Sequence, residues 1–146
     1  MLKLLLLVAT SAVLLGSCAP YRNAQQERFL TLPQHYAQFD AKLAWEITST
    51  DRSTMIDGVF KNVRYNLMDQ IEVWVWALDE NGKERNRAVS FVFDLKENET
   101  GTFTMELPKI ASGTKLRFMY RYVAHEGGNE SSGASNWTQT FDSAVL

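Results

Sequence analysis

The sequence predicts an all-β chain, an antiparallel β-sandwich of about seven strands behind an N-terminal leader and a tether. Three observations carry this expectation. From Phe39 to Asp142, apolar and polar residues alternate with period two in one stretch after another. Turn-forming residues separate the stretches at short intervals, as in Asp79-Glu80-Asn81-Gly82. None of the intervening segments carries the i, i+3, i+4 spacing of an amphipathic helix. The length of 146 residues, with 45% apolar and 22% charged, fits one folded domain and excludes disorder throughout.

The elements follow in order. Leu43, Trp45 and Ile47 alternate with Lys42, Ala44, Glu46 and Thr48, which places Trp45 in the core. Residues 56–65 form a second strand containing Gly58, Phe60 and Asn62. Ile71, Val73, Val75 and Ala77 alternate with Glu72, Trp74, Trp76 and Leu78, and the strand closes on the Asp79–Gly82 turn. Val89, Phe91, Phe93 and Leu95 alternate with Ala88, Ser90, Val92 and Asp94. Phe103, Met105 and Leu107 alternate with Thr102, Thr104 and Glu106, and Leu116, Phe118, Tyr120 and Tyr122 with Lys115, Arg117, Met119 and Arg121. Trp137, Gln139 and Phe141 make a weaker last strand.

Seven strands in about 100 residues suit an immunoglobulin-like or fibronectin-type sandwich, in which each sheet turns one face to the core and one to water. The chain has a single cysteine, so the Cys…Trp…Cys signature of antibody domains is absent. Gly58-Val59-Phe60-Lys61-Asn62, then Val73 to Ala77 closing on Asp79-Glu80-Asn81-Gly82, resembles the FxLYD-type bacterial β-sandwich family, and Phe103 through Leu107-Pro108 fits its later strand. Val75-Trp76-Ala77-Leu78-Asp79 departs from the motif that names the family. The resemblance implies an extracytoplasmic sandwich, often lipid-anchored, without known catalytic residues.

The N-terminus gives an address. Lys3 precedes an apolar run from Leu4 to Leu15, broken only by Thr10 and Ser11. Twelve residues are too few to cross a bilayer and suit a signal h-region. Leu15-Gly16-Ser17-Cys18 then resembles a bacterial lipobox, which implies that residues 1–17 are removed and Cys18 becomes an acylated N-terminus. Several acyl chains on one residue hold a protein stably at a membrane. Ala19 is not the aspartate that retains lipoproteins at the inner membrane of enteric bacteria, which favours the outer membrane, facing the periplasm. The expected division is a leader over 1–17, a lipidated tether over 18–38 and a sandwich over 39–146. Losing the leader removes Lys3 as the one charged residue, so the formal net charge moves from −2 to −3. That balance argues against a nucleic-acid partner.

Signals for chemistry are few. Two histidines, His35 and His125, and one cysteine allow neither a three-histidine nor a cysteine-based metal site. No Gly-x-Ser-x-Gly elbow and no His-Glu-x-x-His is present. A small hydrolase would need His125 to converge with loop carboxylates such as Glu97/Glu99 or Glu126/Glu130, and nothing in their spacing suggests it. Glu126, Asn129 and Glu130 could offer oxygen ligands but match no calcium loop. No cofactor, metal or catalytic residue is expected.

The candidate surface is aromatic. With Val73 and Val75 in the core, Trp74 and Trp76 project from the opposite side of the strand. Pairing with the Leu116–Val123 strand adds Arg117, Met119 and Arg121, and an arginine over an indole gains about 0.5–1 kcal/mol. The face is read as a platform for an envelope protein partner or, alternatively, a glycan such as peptidoglycan. Three structural readings stand beside it. The parity is reversed and the rings are core, the tether covers the rings through Phe29, Leu30 or Tyr36, or Trp and Arg act only as cross-strand pairs. The loop from His125 to Asn136 is a second candidate by its length.

Overall fold

A computed structural model of the chain describes residues 18–127 and 133–145, with side chains from residue 24 onward. The leader, Asn129 and Glu130 therefore lie outside the described residues. One helix, α1 (Cys18–Thr31), precedes nine strands: β1 (Gln34–Ala37), β2 (Ala41–Ser49), β3 (Ser53–Asn62), β4 (Leu67–Leu78), β5 (Glu84–Val92), β6 (Leu95–Lys96), β7 (Thr100–Pro108), β8 (Lys115–His125) and β9 (Ala134–Ala144). Six of the predicted strands are present and β1 is a short addition, but the stretch expected as one strand over 88–95 is broken: β5 ends at Val92 and Leu95 passes to the short β6.

The strands form two antiparallel sheets packed as a sandwich. One is ordered β1-β2-β3-β7 and the other β5-β4-β8-β9, with β6 pairing a further stretch of β4. The core between them is apolar and rich in rings, with Leu43, Ile56, Phe60, Phe103 and Met105 facing Ile71, Val73, Val75, Phe118 and Tyr120. Trp45 is 3% exposed, as its alternation with Leu43 predicts, and packs against Phe118 and Phe141. The Asp79–Gly82 turn closes as expected. Asp79 Oδ1 accepts from the Asn81 and Lys83 amides, and Gly82 takes the positive φ that the turn requires.

Among the described residues three polar side chains are fully buried, Asp40, Thr54 and Asn62, and the first and last tie distant elements together. Asp40 is fully buried and accepts hydrogen bonds from the Tyr120 and Tyr122 hydroxyls. Burial, together with that carboxylate, pushes both phenols well above their ordinary range. The pairs tie the β1–β2 turn to β8, across the two sheets. Asn62, also fully buried, bridges the end of β3 to the approach of β4 and to β6. Gly58 lies where a Cβ would sit 2.3 Å from the Phe103 ring and 2.6 Å from the Ala44 carbonyl oxygen, so glycine is required by close approach.

The segment expected as tether contains ordered structure. β1 pairs with β2, from Gln34 opposite Trp45 to Ala37 opposite Lys42, so the sheet starts before residue 39. Tyr36 stacks on Phe141 of β9 at 3.7 Å. The helix lies on the outer face of the four-stranded sheet. Phe29 and Leu32 pack on Ala44 and Val59, and Arg28 reaches Asp57 at 2.6 Å. Leu30, expected as a packing residue, is instead 76% exposed. A helix this short is marginal alone, and its docking supplies the stability that its sequence lacks. Among the described residues, no helix is long and apolar enough to cross a membrane.

Candidate functional site

The two outer faces of the sandwich are unequal. The helix covers part of one, and no described element packs over the centre of the other. Strand parity decides what the open face carries. Ile71, Val73 and Val75 of β4 are buried, so Glu72, Trp74 and Trp76 point outward and are partly exposed. The register then builds rows across β5, β4, β8 and β9. Arg87, Trp76, Arg117 and Asp142 form one row, and Val89, Trp74, Met119 and Thr140 the next. Phe91, Glu72, Arg121 and Thr138 form the third. The expected grouping of Trp74, Trp76, Arg117, Met119 and Arg121 is therefore present. Neither Phe29, Leu30 nor Tyr36 covers the rings, because the helix docks on the opposite sheet and Tyr36 stacks on Phe141.

The pairing within the face differs from the expected arginine–indole stacking. Trp74 and Trp76 stack on each other, with ring centroids 5.8 Å apart and planes 12° apart. Arg121 turns to Glu72 in a two-pronged ion pair, Nε to Oε2 and Nη2 to Oε1, both 2.7 Å. Trp74 Nε1 donates to the same Oε2 at 2.7 Å. Arg117 pairs with Asp142 at 3.0 Å, and Lys115 joins it at 2.8 Å. The cation over an indole is Arg87, 6.0 Å from the Trp74 ring centre. Sequence reasoning missed Arg87, because its place beside Trp76 depends on the β4–β5 register.

The Glu72 carboxylate, 15% exposed, organises the middle of the face. Its hydrogen bonds from Arg121 lower its pKa, outweighing burial, and the Trp74 bond adds to the effect. A carboxylate lowered in the folded state stabilises above its unfolded value and loses that contribution as pH falls through the folded one. Acid titration followed by the Glu72 carboxyl carbon resonance is expected to give a midpoint below the ordinary 4.5. Arg121→Ala is expected to raise that midpoint, and an unchanged midpoint would contradict the pairing.

Beside this row β4 is irregular. The register slips between Asp69 and Glu72, and Gln70 adopts a positive φ of 50°. This bulge leaves a hollow of about 300 Å³ bordered by Gln70, Glu72, Arg121, Asn136 and Thr138. Beyond it His125 Nε2 lies 3.0 Å from Asp69 Oδ2. The partner of His125 is thus a strand residue, and not one of the loop carboxylates named for a hydrolase. Glu126 offers its backbone oxygen to Asn66, while the Glu99 carboxylate accepts from the Lys96 amide. Among the described residues, no group of three or more His, Cys, Asp or Glu could hold a metal ion.

Edge strand β5 and the residues that follow it split the set that the alternation groups together, Val89, Phe91, Phe93 and Leu95, because the strand ends at Val92. Val92 and Leu95 are buried, whereas Phe91 is 70% and Phe93 93% exposed.

No family model matches the chain, and no curated protein matches it. Several solved structures are similar to it. The GAE domain of GGA2p from Saccharomyces cerevisiae aligns with 77% of this chain and 98% of its own, at 16% identity and a TM-score of 0.44. BhCBM56 aligns with 75% and 97%, at 13% identity and a TM-score of 0.41. A family 9 carbohydrate-binding module from Caldicellulosiruptor kristjanssonii, in complex with glucose, aligns with 76% and 71%, at 9% identity and a TM-score of 0.35. These likenesses concern the fold alone.

Proposed function

We propose that this protein is a non-enzymatic interaction or assembly module of a bacterial envelope, held at the membrane by lipid on Cys18. Its partner is a protein that docks on the outer face of the five-stranded sheet. The observation that carries this reading is the asymmetry of the sandwich. The chain's own helix packs on one outer face, while the other keeps two stacked tryptophans partly exposed, flanked by Val89, Met119 and Arg87. Tryptophan and arginine are the residue types most enriched where truncation costs a protein complex its affinity.

A protein suits the face better than a glycan. Sugar recognition needs free donors and acceptors around a ring, and here the polar groups nearest the rings satisfy one another. Glu72 holds both Arg121 and the Trp74 indole, and Asp142 holds Arg117. What the face offers outward is apolar area with cationic margins. The lipid-anchored, outer-membrane address rests on the residues around Cys18, and the absence of catalysis on the lack of any convergent nucleophile and base in the sequence motifs.

A photo-crosslinking residue at Val89, which sits between Arg87 and Phe91 on the outer side of β5, tests the proposal in intact cells. It is expected to give a discrete protein adduct that disappears when Trp76 is replaced by alanine. The same probe at Lys42, exposed on β2 of the other sheet, is expected to give none. Adducts from Lys42 alone would move the partner to the wrong face.

A further inference from the structure

We propose that Phe93, in the turn that follows β5, is a membrane contact that seats the β5–β7 edge of the domain on the bilayer carrying its anchor. The inference rests on the lipid-anchor reading of Cys18 and goes beyond it, because it fixes which edge of the domain meets the lipid.

The direction of the helix is the first support. Its C-terminal end packs on β2 and β3 through Phe29, and through Leu32 just past the last turn, against Ala44 and Val59. Towards its N-terminus, Gln25 and Gln26 border a hollow of about 560 Å³ shared with Phe93, Leu95 and Gly101. The helix therefore runs across the four-stranded sheet towards its β7 edge. Cys18 begins the same helix, seven residues before Gln25, which is about 10 Å of further rise. The attachment point is thus carried towards the edge where β7 and β5 lie side by side, and away from β9.

The second support is independent of the helix. Phe93 is 93% and Phe91 70% exposed, and Phe93 is the most exposed of the large apolar side chains in the described residues. Phe91 belongs to the outer face of β5, but Phe93 open to water is otherwise unexplained by the packing, since Val92 and Leu95 fill the core positions on either side of it. Aromatic and apolar side chains at a membrane surface bury themselves at the boundary between headgroups and acyl chains. The flanking charges select the kind of lipid. Asp94, Glu97 and Glu99 outnumber Lys96 in this turn, so the occupant is a bilayer surface of zwitterionic phospholipid and not a strongly anionic one.

The test uses the processed, lipidated full chain. Acylation blocks Cys18, the one native cysteine, so Phe93→Cys supplies a unique thiol for a bimane label. Ser135→Cys on β9, at the opposite edge, is the matched control. Both positions are exposed, so neither substitution disturbs the core. The proteins are reconstituted into phosphatidylethanolamine–phosphatidylcholine vesicles containing doxyl-labelled lipid. Quenching at position 93 is expected to exceed that at 135 by about fivefold or more, since only the former enters the interfacial layer. Equal quenching in a chain whose acylation is verified by mass overturns the proposal and leaves the anchor standing. A label at 93 that is shielded from water yet unquenched also overturns it, because that residue then lies against protein. A chain in which Cys18 itself takes the label overturns the anchor reading and this proposal together.

Discussion

Asn62→Ala is expected to destabilise the domain by about 3–6 kcal/mol, a large share of the roughly 5–15 kcal/mol that holds a domain of this size folded. The side chain is fully buried and makes four hydrogen bonds to the backbone. Its Nδ2 donates to the Tyr65 carbonyl at 2.7 Å and to the Leu95 carbonyl at 3.0 Å. Its Oδ1 accepts from the Arg64 and Tyr65 amides, both at 3.0 Å. Alanine leaves these groups without partners, each at a cost of about 1–3 kcal/mol where water cannot replace the bond. Arg64 is exposed and recovers part of its share from solvent. Urea unfolding followed by tryptophan fluorescence checks the value. A loss below about 1 kcal/mol would mean that water or a neighbour replaces the amide.

The second large effect is on binding. Trp74→Ala with Trp76→Ala is expected to weaken partner affinity by about 10²- to 10³-fold, corresponding to about 3–4 kcal/mol at a central aromatic pair. The cost to folding is expected to be smaller. Both rings are only partly buried, and their stacking and cross-strand packing contribute about 0.5–1.5 kcal/mol. Removal also leaves Glu72 paired with Arg121, so no charge is stranded. The comparison of an urea midpoint with a titrated affinity separates the two roles. A double variant that unfolds while wild-type binding remains undetectable would make the rings structural.

The alternation of β4 and β8 makes the face legible in the sequence. Valine at 73 and 75 commits the tryptophans to the outside, and period two carries Arg117, Met119 and Arg121 to the same side. The partners of those arginines were not legible. Arg121 meets Glu72 because the β4–β8 register sets the two directly opposite, as it sets Trp76 opposite Arg117, and residue types alone do not give that register. β5 was ambiguous for a different reason. Both of its parities contain apolar residues, Val89 and Phe91 on one side and Ala88 and Val92 on the other. Exposure of Phe91 and Phe93 thus depends on the packing of β7 and β6. A short helix over 21–30 is suggested by the sequence but marginal alone, and docking by Phe29, with Leu32 just past the helix end, stabilises it on the sheet. Gly58 and Asn62, which carry the family resemblance, have physical reasons to be those residues: a close approach to Phe103 and four backbone hydrogen bonds.

The central claim is that recognition occurs on the outer face of the five-stranded sheet. The indole N–H resonances of Trp74 and Trp76 in ¹⁵N-labelled chain test it most directly, titrated with the protein captured from the Val89 crosslink. Both signals are expected to shift or broaden on binding, together with the amides of β4, β5 and β8, while those of α1 and β2 stay in place. Unmoved indoles, with changes confined to α1 and the four-stranded sheet, would contradict the account.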